Sequence, residues 1–185
     1  LADAKPDAIF NVLFGPDLTK FAREGKTRGL FEDRTVVSLL TGEPEYLDPL
    51  RADAPEGWIV TGYPYESIDT PEHEEFITAY EEKYDDYPRL NSVIGYSTVM
   101  ALAAGIEKAG STDTEALIKA FKGLEFMTPF GPAKFRELDN QSTMGIHVGK
   151  LAVEDISGVM PEGEYIPGEE LQPPDDVVKQ LRKDG

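Results

Sequence analysis

DAIFNVLFGPDLTKFAREGKTRGLFEDRTVVSLLTG, residues 7–42, decides the fold. Asp7 to Phe14 is a run of mainly apolar, β-favouring residues. It reads as a strand buried on both faces, as in a parallel sheet. Gly15-Pro16-Asp17 breaks that run. Leu18, Phe21, Ala22 and Gly25 then recur at helical spacing, and Gly29 ends the helix. Thr35 to Leu40 (TVVSLL) is a second strand. Strand, helix and strand within about thirty residues make a βαβ unit, which calls for a right-handed crossover and a parallel pair. The predicted class is α/β, a parallel sheet with flanking helices.

Thr41-Gly42-Glu43-Pro44 follows the second strand directly. Open α/β sheets bind ligands in loops at the carboxyl ends of parallel strands. Gly15 and Gly42 sit at equivalent ends of neighbouring strands, so their loops should face the same crevice. Gly57 to Tyr63 (GWIVTGY) reads as a third strand.

The chain then changes character. A helix is predicted from Pro71 to Tyr84, capped by Asp69 or Thr70, with Phe76, Tyr80 and Tyr84 as its apolar stripe. A second helix covers about Asn91 to Lys108, is apolar over a wide arc, and stops at Gly110. Thr112 with Glu115 reads as a capping box for a third helix, with Leu117, Ala120, Phe121 and Leu124 inward. Short strands are expected near Ala133 to Phe135, from Met144 to Val153 and near Val159 to Ile166, and a terminal helix from Asp175 to Arg182.

Composition narrows the function. The chain has 185 residues, 40% of them hydrophobic, enough for a real core. Its longest apolar run, near Val99 to Ile106, is too short to span a bilayer. No secretory signal pattern opens it, as a mature export product would also show. With 35 acidic and 18 basic side chains the net charge is −17, which repels phosphate backbones and argues against nucleic acid as a partner. Cysteine is absent, which removes disulfides and thiolate chemistry.

Enzyme signatures are lacking: no nucleophile elbow, no P-loop and no dinucleotide fingerprint. His73, in Glu72-His73-Glu74-Glu75, has no second histidine one turn away and reads as exposed polar helix. His147, in an alternating strand, reads as solvent-facing or hydrogen-bonded. Neither a catalytic group nor a metal site nor a cofactor is expected.

What remains are loop residues at strand ends and one helix entrance. Phe14, Gly15, Thr41, Gly42 and Glu43 form the first group; Asn91 and Ser92, with Tyr96 deeper on the same helix, form the second. Each also has a plain structural reading: Phe14 as core, Gly42 as a turn residue, Asn91 or Ser92 as a cap. Together they suit a polar small molecule. A helix N-terminus favours a carboxylate, a glutamate can hold an ammonium group, and an aromatic can cover an apolar side chain.

Four stretches in series also carry a family resemblance: PDAIFNVLFGPDLTKFAREGKTRGLF, TGEPEYLDPLRADAPEGWIVTGYP, FITAYEEKYDDYPRLNSVIGYSTVMALAAGIEKAGSTDTEALIKAF and FGPAKFRELDNQSTMGIHVGKL. In order and spacing the chain resembles the C-terminal half of solute-binding proteins of branched-chain amino-acid ABC transporters, the Leu/Ile/Val-binding type of periplasmic receptor. The resemblance implies a periplasmic or extracellular receptor of two α/β lobes that closes around a small amino acid or related organic acid and delivers it to a membrane permease. It implies no covalent chemistry. A ligand-sensing regulatory domain of the same fold is the alternative, and an α/β enzyme a remoter one.

By the same resemblance, Phe14 falls where an aromatic covers the ligand, and the Gly42-Glu43 loop where an acid holds the α-amino group. Asn91 or Ser92 falls near a position that touches the ligand's side chain, where an aromatic is more usual. Residues 1–65 would belong to the second lobe, 66–140 to the first, and 141–185 would return to the second and form the tail. Such a chain is a fragment, a truncated product or a protomer that exchanges elements with a partner. The helices at 71–84, 91–108 and 113–124 would then leave apolar faces open, and self-association is expected.

Overall fold

The computed structural model describes residues 1–182. In chain order the elements begin with β1 (Ala8–Asn11), α1 (Gly15–Thr27), β2 (Thr35–Gly42), α2 (Pro44–Leu50), a 3-10 turn at Arg51–Asp53, and β3 (Ile59–Gly62). Three helices follow: α3 (Pro71–Tyr84), α4 (Leu90–Ala109) and α5 (Thr114–Phe121). The remainder is β4 (Glu125–Thr128), β5 (Gly131–Lys134), β6 (Ile146–Lys150), β7 (Ala152–Glu154), β8 (Ser157–Val159), β9 (Gly163–Ile166), α6 (Gly168–Leu171) and α7 (Asp175–Leu181).

Contacts divide the chain into two compact units. Residues 1–68 with 146–165 make the sheet unit; 69–145 with the segment from Ile166 onward make the helical unit. The expectation ran 141–185 as one returning segment. The stretch packed with the sheet is shorter, Ile146–Tyr165, and the tail beyond it belongs to the helical unit. Hydrogen bonds hold it there: Arg136 Nη1 donates to the Pro173 carbonyl at 2.9 Å, and Gln172 Nε2 to the Ser142 carbonyl at 2.8 Å.

In the sheet unit the strand order is β1-β2-β3-β6-β9. β1, β2 and β3 run parallel and β6 runs antiparallel to β3. The predicted βαβ unit is therefore present as β1-α1-β2. α1 buries Leu18, Ala22 and Gly25, and the Phe31 ring fills the space a side chain at Gly25 would need. Phe31 meets Trp58 edge-on at 4.7 Å inside a core that includes Ile9, Val36, Leu50 and Val60. α1, α2 and α3 each place a proline at the first turn, where its missing N–H costs nothing.

The structure corrects the reading of the first strand. β1 is only four residues long and lies at the sheet edge. One face is buried through Ile9 and Asn11; Phe10 is 66% exposed, and Val12, Leu13 and Phe14 are exposed beyond it. Phe10 pairs with Val37 and Val37 with Ile59 on the same face, where exposure falls from Phe10 to the half-buried Val37 and Ile59. The apolar run matched a strand with two apolar faces, and only one of them is covered within the described residues.

In the helical unit α4 packs against α5 and β4, and β4 forms a hairpin with β5. Phe126 stacks on Phe135 at 5.0 Å. The α5 cap is Asp113, one residue later than expected: its Oδ1 accepts the Ala116 N–H at 3.1 Å. The predicted Met144–Val153 strand is divided, because β6 joins the main sheet while β7 pairs with β8. His73 is buried at 1% exposure rather than exposed, with Phe130 beside its ring. His147 is buried as well, its ring 5.1 Å from that of Tyr165.

Candidate functional site

Five of the eight candidate residues gather at the carboxyl ends of β1 and β2, where parallel topology places ligand loops. Phe14 precedes α1 in extended backbone and is 74% exposed, so it is not core. Gly15 opens α1 at φ +59, a left-handed conformation that favours glycine. Its N–H donates to Tyr46 Oη at 3.0 Å, which ties the start of α1 to α2.

Thr41 is fully buried, with its Oγ1 2.6 Å from Ser38 Oγ. Its side chain is thus turned into the unit and engaged there. Gly42 pairs with Gly62 beyond a register irregularity in β2–β3. A Cβ at Gly42 would lie 2.7 Å from the Thr61 carbonyl oxygen, so this glycine serves a close strand approach rather than a free turn. Thr61 Oγ1 donates to the Leu39 carbonyl across the same irregularity.

Glu43 precedes α2 and is half-buried. Burial, with repulsion from Glu45 second, pushes its carboxyl from 4.5 up to about 7. An acid in this state is poised to gain from a cation. Nearby Tyr63 is buried, and burial first, then Tyr65 and Glu45, raises its phenol.

The other three candidates lie in the first two turns of α4, in the helical unit. Arg89 is the cap residue, and Ser92 Oγ accepts its backbone N–H at 3.3 Å. Ser92 also donates to Tyr80 Oη at 3.3 Å, so its hydroxyl works in the helix entrance. Asn91 is exposed one position earlier. Tyr96 is 45% exposed and packs against Phe76 at 5.0 Å. Tyr84, expected on the apolar stripe of α3, contacts Tyr80 at 4.6 Å yet remains 56% exposed.

Sequence reasoning missed Asn11, Ser38 and Tyr46. The available signal was a polar residue in the middle of an apolar strand, at Asn11 in AIFNVLF and Ser38 in TVVSLL. It also missed α2, whose seven residues include Pro44 and Pro49 and resemble a loop. Among the described residues no group of three His, Asp or Glu side chains converges on a metal position, and no helix is long and apolar enough to cross a membrane.

Residues 1–155 match the family model described as periplasmic binding protein. A curated protein of Pseudomonas aeruginosa, the leucine-, isoleucine-, valine-, threonine- and alanine-binding protein, is 32% identical over 140 residues, covering 74% of this chain and 37% of that protein. An ABC-type branched-chain amino-acid transporter structure from Rhodopseudomonas palustris is similar at 27% identity and TM-score 0.71, covering 90% of this chain and 45% of that one. A solute-binding protein of an ABC transporter from the same species, in complex with 3,4-dihydroxybenzoic acid, shares the fold at 24% identity and TM-score 0.70, covering 90% and 47%. The chain thus spans less than half the length of these relatives. An α/β sheet with loops gathered at its parallel strand ends, matched over residues 1–155, places the chain in the periplasmic binding protein family.

Proposed function

We propose that this chain supplies part of an extracytoplasmic receptor that binds a small amino acid of the branched-chain type, or a related organic acid, for an ABC transporter permease. One observation carries the reading. Exposed Phe14, the open start of α1 and the half-buried Glu43 carboxyl stand together at the strand ends of one unit. The aromatic covers an apolar side chain and the acid takes an ammonium group. Within the helical unit, Asn91 and Tyr96 are the exposed candidates for ligand contact. Gly15, Thr41, Gly42 and Ser92 support the loops rather than touch the ligand. The chain acts by binding, without covalent chemistry, a role the family membership supports.

Thermal melting tests this against leucine, isoleucine, valine, threonine, alanine and 3,4-dihydroxybenzoate. A ligand that binds the native state raises the melting point by mass action, by about 2.7 kcal/mol of stability at a hundredfold excess over Kd. A shift with an aliphatic amino acid that disappears in Glu43→Gln is the expected result. No shift with any of these compounds, in this chain or in one extended to the relatives' length, overturns the reading.

We further propose that the chain associates with itself through the sheet face that Phe10, exposed, shares with the half-buried Val37 and Ile59. A parallel sheet is normally covered on both faces, and an apolar surface left open drives association. Light scattering should give a species larger than one chain, and Phe10→Lys should reduce it. A clean monomer at high concentration refutes the association.

A further inference from the structure

The inner face of the sheet changes chemistry at its carboxyl end. On β1 the inward residues are Ile9 and then Asn11; on β2 they are Val36 and then Ser38. Asn11 and Ser38 are register partners, and Thr41 follows at the end of β2. All three are buried, at 4%, 1% and 0% exposure. Such positions in a parallel sheet usually hold Val or Ile, and buried polar side chains are tolerated only when they satisfy one another.

Here they do. Asn11 Nδ2 donates to Ser38 Oγ at 2.9 Å, and Ser38 Oγ lies 2.6 Å from Thr41 Oγ1. At the other end, Asn11 Oδ1 accepts the Leu13 N–H at 3.0 Å, closing the turn that leads into Phe14. Thr41 directly precedes Gly42 and Glu43. The three side chains therefore run without a break from the turn bearing the exposed aromatic to the loop bearing the acid.

We propose that Asn11, Ser38 and Thr41 are positioning residues, a buried hydrogen-bonded chain that couples the Phe14 turn to the Glu43 loop so that order in one loop orders the other. The meaning of this coupling for ligand binding rests on the receptor reading above. The coupling itself does not. Ser38 is the central link because it accepts from Asn11 and is hydrogen-bonded to Thr41, either hydroxyl serving as donor. A fully connected polar chain in low-dielectric surroundings fixes geometry more tightly than apolar packing of equal volume.

Amide hydrogen exchange resolved by NMR tests the coupling on the whole chain. Ser38→Ala removes the central hydroxyl at little change in volume, and Thr41→Val does the same one link further on, serving where Ser38→Ala fails to fold. Val36→Ala is the structural comparison, since Val36 is buried in the same strand without joining the chain. In Ser38→Ala, exchange at Leu13 and at Glu43 should accelerate together by about tenfold, the equivalent of one lost hydrogen bond. Exchange at Val37 and Val60 should remain that of the parent. Acceleration at only one loop, or the same two-loop pattern in Val36→Ala, overturns the proposal. In parallel, leucine affinity should fall by about tenfold in Ser38→Ala where the parent binds leucine. A parent that binds none of the compounds named above, at this length or extended to that of the relatives, removes the receptor reading and leaves the exchange result to decide the coupling.

Discussion

Replacing Glu43 by Gln should change the pH dependence of stability in a defined way. The carboxyl stands at about 7 instead of 4.5. A displacement of that size corresponds to about 3.4 kcal/mol of lost preference for the charged form. Glu43 is only half-buried, so solvent screening reduces the usable part to about 1–2 kcal/mol. Between pH 4.5 and 7 the native state holds more protons than the unfolded chain. Stability from this group is therefore full below 4.5, falls as pH rises toward 7, and stays low above it. Glu43→Gln removes the effect. At pH 8 the variant should be more stable than the parent by about 1–2 kcal/mol, and near pH 4.5 the two should coincide. Trp58 is the chain's one tryptophan and is buried in the sheet unit, so its fluorescence during urea unfolding reports the correct unit. Parallel stability curves for parent and variant from pH 4.5 to 8 would refute the reasoning. Under the proposed receptor reading a ligand ammonium would pair with ionised Glu43, so leucine affinity of the parent should fall by about tenfold per pH unit below 7.

Three further outcomes follow from local geometry. Gly42→Ala places a Cβ 2.7 Å from both the Thr61 carbonyl oxygen and Val60 Cγ2, and should cost about 1–3 kcal/mol by urea unfolding followed at Trp58. Asp113→Ala removes the α5 cap and should cost about 1 kcal/mol in helical-unit stability by circular dichroism, while Thr112→Ala costs far less. Asp139 is held near 2, below its usual 3.8, chiefly by the hydrogen-bonded Arg136 guanidinium. Its contribution is present above 3.8 and is lost as pH falls toward 2. Asp139→Asn should therefore flatten part of the acid-unfolding curve in that window, read by circular dichroism.

Elements with a clean period were legible in sequence, and those that depend on a distant partner were not. The β1-α1-β2 unit follows from two apolar runs flanking a helical stripe, although β1 ends at Asn11, three residues short of the predicted run, and β2 continues two residues past Leu40. α2 escaped because two prolines in seven residues mask a helix whose first turn tolerates one of them. His73 escaped because a charged neighbourhood in sequence says nothing about which helix face turns inward. Strand-end placement in sequence was enough to put Phe14, Gly15 and Glu43 at the carboxyl ends of β1 and β2, where the structure has them. It could not separate the residues that face solvent from Thr41, whose hydroxyl turns in toward Ser38.

α4 shows why a wide apolar arc does not by itself say which helical face is buried. The sequence offers apolar residues over a wide arc, and the large ones invite the inward position. The buried stripe is instead Val93, Ser97, Ala101 and Gly105, spaced one turn apart. These small residues let neighbours come close: a Cβ at Gly105 would lie 2.6 Å from the Phe121 ring. Ile94, Val99 and Leu102 remain 43%, 65% and 46% exposed on other sides. A helix apolar on every side is built to be covered on more than one. Among the described residues of this unit the buried stripe lies on one side, as in the sheet unit one face of β1 is buried. Burial of either open surface would be driven by the same hydrophobic term that forms the cores. The association test therefore has a second arm. Val99→Lys, on the helical unit, should lower association independently of Phe10→Lys if both surfaces take part, and leave it unchanged if the sheet face acts alone.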